Sequence, residues 1–123
     1  MQMFKKFIYS ALIGLGISAF GNEGPQFLYK VLSSEDWKAS QDKEVLQLPS
    51  ADDAFIHLSK EDQLDRLIQK YWSNVSEFYV LKIDTSQLPG DLVFEVNPGG
   101  TAKYYHLYNG SIPLDAVVET IER

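Results

Sequence analysis

From Glu77 to the C-terminus the chain is written in apolar segments of strand length, separated by clusters of glycine, proline and asparagine. No other feature narrows the fold as much. Residues 78–83 (FYVLKI), 92–96 (LVFEV), 102–108 (AKYYHLY) and 116–121 (AVVETI) are separated by Pro89-Gly90, Asn97-Pro98-Gly99-Gly100 and Asn109-Gly110. Turn residues at that spacing predict hairpin-linked strands. The earlier half reads differently. After a strand at 27–31 (FLYKV), Ser33 or Ser34 is placed to cap a helix. Glu35 and Asp36 suit its positive end, and the helix runs to about Gln41 with Trp37 turned to the core. A buried strand is predicted at 54–58 (AFIHL). Ser59 then reads as an N-cap with Asp62 three residues on, and Leu64, Leu67, Ile68, Tyr71 and Trp72 form one apolar helical face. Two helices early and strands late predict an α+β fold rather than alternating α/β.

With 123 residues, 45% of them hydrophobic and 23% charged, the chain fits one ordinary globular domain and not a disordered or fibrous class. Cysteine is absent, which excludes disulfides, thiolate metal sites and a cysteine nucleophile. The fold must therefore be held by packing.

Residues 1–21 form a separate segment. Lys5 and Lys6 precede an uncharged apolar run at 7–20 (FIYSALIGLGISAF), followed by Gly21 and Asn22. This is the pattern of an export signal, with Ala19 and Gly21 as the small residues before cleavage. As a helix the run would reach about 21 Å, short of the ~30 Å hydrocarbon core. The expectation is a signal peptide at 1–21, a mature domain at 22–123 and a periplasmic or secreted protein without stable membrane insertion. An anchor through 7–20 is the alternative. All 17 acids lie at or beyond Glu23, so the mature part carries nine cations against 17 acids, a net of −8. Such a surface repels phosphate backbones and disfavours bulk binding of nucleic acid. A small-molecule ligand in a local pocket is compatible with it.

Two histidines interrupt apolar or aromatic strands. By alternation Phe55 and His57 share a face, as do Tyr104, His106 and Tyr108. A buried histidine needs hydrogen-bond partners and an accessible one lines a pocket. The plainer reading is a pair of satisfied core histidines. Two of them beside aromatic rings favour a ligand site with His57 and His106 as proton-transfer candidates. Glu95, within LVFEV, is either a solvated surface acid or a third catalytic candidate, a general base or an acceptor for a ribose hydroxyl. Lys30 is the early cation able to meet a phosphate, although lysine is seldom buried and a solvated side chain is expected. Neither a metal-spacing motif nor a phosphate-cradling glycine loop is present, so no metal site is predicted.

Three blocks also carry a family resemblance. Tyr29-Lys30-Val31-Leu32 with Trp37 comes first, then Phe55-Ile56-His57-Leu58-Ser59 with Gln63. Tyr105-His106-Leu107-Tyr108 with Ile112-Pro113-Leu114-Asp115-Ala116-Val117-Val118 completes the set. Together they resemble domain-of-unknown-function family 952, over nearly all of the predicted mature domain. The resemblance implies a compact split sheet similar to the ADP-ribosyltransferase core, including its RNA 2′-phosphotransferase branch, with an NAD-like ligand between two small sheets. It places His57, Ser59 and His106 at the family's polar positions. Lys30, Ser59, Tyr104 and Tyr108 would then line the ligand. Lys30 departs from the pattern, standing where many relatives carry a histidine. Three readings follow: a transferase or hydrolase on an NAD-like or nucleotide-phosphate ligand, a non-catalytic envelope binding module, and a structural domain.

Overall fold

A computed structural model describes residues 24–123. The expected signal at 1–21 lies outside the described residues. Over the described residues the fold is α+β, with two helices and two three-stranded antiparallel sheets. Strands β1 (Phe27–Ser33), β3 (Phe78–Asp84) and β6 (Val117–Glu122) form the first sheet, in the order β1-β3-β6. Strands β2 (Ile56–Leu58), β5 (Lys103–Tyr108) and β4 (Asp91–Val96) form the second, in the order β2-β5-β4. Helix α1 (Ser34–Ser40) follows β1, and helix α2 (Leu64–Tyr71) separates β2 from β3.

Alternation along the strands sorts side chains into layers. Leu28 and Leu32 on β1 and Leu81 and Ile83 on β3 face Ile56, Leu58 and Leu107 of the second sheet, forming the main core. The opposite face of the first sheet offers Tyr29, Val31, Phe78 and Val80 to helix α2, whose Leu64, Leu67, Ile68 and Trp72 cover them. The α2 stripe is narrower than the sequence pattern suggests, because Tyr71 lies at its margin and is 63% exposed. Helix α1 is capped as predicted: the Ser33 hydroxyl accepts from the Asp36 amide at 3.0 Å. Its Trp37 packs on the core edge with its ring 5.7 Å from that of Tyr79.

Several local expectations are corrected. Ser59 is no N-cap. It is 1% exposed, and its backbone exchanges two hydrogen bonds with Tyr29, at 2.8 and 2.9 Å, which stitches β2 to β1 and so joins the two sheets. The chain instead enters α2 through a 3₁₀ turn, Glu61–Gln63, where the Gln63 side chain rather than Asp62 reaches back to accept from the Lys60 amide at 2.9 Å. The strand expected from Ala54 begins only at Ile56.

Only the β4–β5 connection is a hairpin among the late strands; Pro89-Gly90 and Asn109-Gly110 carry the chain between sheets instead. These two crossings lie against each other. Gly90 has φ 109°, where an added Cβ would come 2.5 Å from the Tyr108 carbonyl oxygen and 2.8 Å from the Gly110 Cα. A Cβ on Gly110 would overlap the Pro89 carbonyl oxygen. Glycine is required there because backbone meets backbone, which has no rotamer with which to yield.

Two substitutions test this layout by denaturant unfolding. Leu81→Ala, at a fully buried position, is expected to cost about 2–5 kcal/mol. Gly110→Ala is expected to cost about 1–3 kcal/mol through overpacking, whereas Gly100→Ala, which meets ordinary contact distances, stays within about 0.5 kcal/mol. Equal effects at the two glycines would contradict the clasp between crossings.

Candidate functional site

The β2–β5 register sets His57 directly opposite His106. Opposed residues on antiparallel strands share a face, and here the imidazole centroids stand 5.4 Å apart, edge to face. On the adjoining pair Val93 faces His106 and Glu95 faces Tyr104, so β4 adds Glu95 to the same surface. The alternation read from the sequence is therefore realised: His57, His106, Glu95, Tyr104 and Tyr108 lie on one side of the second sheet, away from the main core. Phe55, just ahead of β2, lies over them. Its ring stacks on His106 at 4.0 Å and 25°, and approaches His57 at 4.8 Å and Tyr108 at 5.2 Å.

The two histidines have different surroundings. His106 is 0% exposed, and both ring nitrogens are engaged, Nδ1 at 2.7 Å from Glu95 Oε2 and Nε2 at 2.6 Å from Asn97 Oδ1. Its polar demands are met under the Phe55 ring, as a buried imidazole requires. Glu95 Oε2 also accepts a hydrogen bond from the Tyr108 hydroxyl. The Tyr108 hydrogen bond, then that from His106, holds the Glu95 carboxyl below its ordinary range, while the same contact and burial push the Tyr108 phenol up. Both contacts use Oε2, so Oε1 stays free as an acceptor among the described residues.

His57 faces outward, with its side chain 39% exposed. Its Nδ1 lies 2.7 Å from Asp52 Oδ1, and Nε2 has no partner among the described residues. Asp52 was not among the sequence candidates. It comes from a 3₁₀ turn, Ser50–Asp52, where no period of 2 or 3.6 marks a side chain as inward. Lys30 is the larger surprise. Rather than solvated it is 6% exposed on the core side of β1, its Nζ 2.7 Å from Asp52 Oδ2 and donating to the His57 carbonyl at 3.0 Å. Burial pulls the Lys30 pKa down, with Asp52 opposing. On Asp52 burial acts upward, but the His57 hydrogen bond and the Lys30 ammonium outweigh it and hold the carboxyl low.

The candidates thus separate. His57, His106, Glu95 and Tyr108 come together through direct contacts, Tyr104 stands beside Glu95, and Lys30 supports the site from beneath. Ser59 does not join them, being the stitch between sheets. A hollow of about 450 Å³ lies between Asp52, Asp53, Phe55, Pro89, Asn109 and Ser111; it shares Asp52 and Phe55 with the histidine surface, but His57, His106, Glu95 and Tyr108 do not line it. Among the described residues no three histidine or acidic side chains converge as metal ligands, and no helix is long and apolar enough to cross a membrane.

The buried pair gives a test by pH. The folded Asp52 pKa lies below its unfolded value near ~4, so its stabilisation is complete above that pH and is lost as pH falls through the folded value. Lys30→Met strands the carboxylate and is expected to cost about 3–5 kcal/mol at neutral pH. In acid the stranded Asp52 takes up a proton and the gap from wild type narrows. Urea midpoints of both proteins in neutral and acidic buffer measure this, and a gap independent of pH would remove the charge from the explanation.

Comparison with known proteins agrees with the arrangement of the fold. The crystal structure of protein CC0527 from Caulobacter crescentus matches with a TM-score of 0.68 at 28% identity, covering 78% of this chain and 84% of that one. The solution NMR structure of the same protein matches with a TM-score of 0.67 at 27% identity, covering 79% and 84%. No curated protein sequence matches the chain. The family model described as "Protein of unknown function (DUF952)" matches residues 31–120, which include both histidines, Asp52 and Glu95, with Lys30 just ahead of the matched region. The chain belongs to domain-of-unknown-function family 952.

Proposed function

We propose that the His57 face binds a small ribosyl ligand of the NAD type and that the protein is a transferase or hydrolase acting at its glycosidic carbon. The observation that carries this reading is a pair of unpartnered polar atoms on one aromatic surface: Nε2 of His57 and Oε1 of Glu95, linked through the His106 ring. His57 Nε2 accepts the proton of an attacking water or hydroxyl as the new bond to the sugar carbon forms, a task for which imidazole basicity is well matched. Glu95, kept ionised by Tyr108 and His106, accepts a ribose hydroxyl and offsets the positive charge that grows on the sugar as the bond to the departing base breaks. Phe55, Tyr104 and Tyr108 offer ring surface to the ligand. His106 is a positioning residue in this scheme, since both of its nitrogens already have partners.

The resemblance to the ADP-ribosyltransferase core belongs to this proposal, as does export to the periplasm or beyond. Charge favours the ribosyl part of such a ligand over its phosphates. Lys30, the cation the sequence offers to a phosphate, is buried and committed to Asp52. A nucleoside 2′-phosphate should therefore be the weaker ligand.

Titration of the protein with nicotinamide riboside, NAD and a nucleoside 2′-phosphate, followed by NMR of the imidazole and Tyr108 ring signals, tests the reading. The first two are expected to move the His57 and Tyr108 signals at millimolar concentration, the third much less. His57→Ala should reduce turnover of the productive ligand about 10²–10⁴-fold while leaving its binding largely intact. Binding without turnover in the wild type would establish a non-catalytic module instead. Silence towards all three ligands would sink the proposal.

A further inference from the structure

His57 is gripped on three sides by one buried ion pair. Asp52 Oδ1 accepts from the His57 amide at 3.2 Å and stands 2.7 Å from Nδ1, while Lys30 donates to the carbonyl of the same residue at 3.0 Å. The other Asp52 oxygen lies 2.7 Å from the Lys30 ammonium. Position 52 therefore faces donors in two directions, a backbone N–H on one side and a cation on the other. A carboxylate can accept from both. An amide cannot, since one of its two ends is itself a donor.

We propose that Lys30 and Asp52 form a positioning pair that holds His57 as the Nδ1–H tautomer and so makes the exposed Nε2 the proton-accepting atom of the site. This rests on the role given to His57 above, but it concerns the protein without ligand and fails or stands separately. A neutral imidazole has one donor and one acceptor nitrogen. With the donor directed at Asp52, the lone pair is left on Nε2. Lys30 acts through Asp52, deciding which way round the group at position 52 must face.

That division of roles gives an unusual pair of variants. In Asp52→Asn the amide has one oxygen and one NH₂. Setting the NH₂ against the Lys30 ammonium opposes a donor to a buried cation. Setting it against the His57 amide opposes it only to a neutral donor, the lesser penalty. The oxygen therefore turns to Lys30, the NH₂ turns to His57, and the ring responds by moving its proton to Nε2. In Lys30→Met with Asp52→Asn the cation is gone, the amide turns back, and Nδ1–H returns. Replacing both members of a buried pair by neutral groups is often harmless to folding.

The experiment is ring ¹⁵N NMR of the full chain in alkaline buffer, without ligand. Expected are Nδ1–H in the wild type, Nε2–H in Asp52→Asn, and Nδ1–H again in the double variant. A merely structural role for the pair would lower stability without reversing a tautomer and restoring it. An Nε2–H ring in the wild type overturns the proposal by itself, whether or not the single variant folds. A folded Asp52→Asn that keeps Nδ1–H, or a double variant that stays Nε2–H, overturns it as well.

Discussion

Lys30 points a charge into the layer between two sheets, and the geometry around His57 follows from how that charge is answered. Moving an ammonium out of water costs several kcal/mol unless an anion and further acceptors meet it. Leu28 and Leu32 flank it on the same face of β1 and offer nothing polar. The answer comes from two distant parts of the chain, the Asp52 carboxylate and the His57 carbonyl. Both are in reach because the Tyr29–Ser59 bridge lays β2 alongside β1. Asp52, once buried, has a demand of its own, and the His57 amide and ring supply it. Lysine, aspartate and histidine thus fix one another's positions in turn.

The second network starts from register. Because the side-chain period of a strand is two, sliding β2 by one residue against β5 would carry Ile56 and Leu58 out of the core and His57 into it. Burial of Ile56, Leu58 and Leu107 fixes the pairing, and the pairing opposes the histidines. His106 then sits between β2 and the Glu95 of β4, so Tyr108, Glu95, His106 and Asn97 form one connected chain of polar contacts. Such a chain is stable because each buried atom in it is answered.

What the sequence disclosed and what it hid divide by range. Period-two alternation grouped Tyr104 with His106 and Tyr108, and Val93 with Glu95, because each is a property of a single strand; Phe55 meets His57 as expected, although it lies just ahead of β2. The Ser33 cap and the α2 stripe were legible for the same reason. Sheet membership was not, since Pro89-Gly90 has the composition of a hairpin turn and its use as a crossing depends on strands elsewhere. Lys30 read as solvated because lysine usually is, and the carboxylate that makes its burial tolerable lies 22 positions away in a turn without periodicity. Ser59 has the chemistry of an N-cap, but its backbone was already committed to Tyr29.

The two histidines are alike in sequence context and nearly alike in their first partner, each setting Nδ1 against a carboxylate at 2.7 Å. They differ at the other nitrogen. His106 Nε2 meets Asn97 beneath Phe55, so a proton there has nowhere to go except along the network. His57 Nε2 is left open, and its carboxylate is locked from behind by a cation that cannot leave the seam. A fold that needed only to satisfy two buried imidazoles would treat both as it treats His106. His57 instead stays half-exposed, with its carboxylate partner paired from behind to the buried Lys30, and the proposed proton-accepting role draws on that setting.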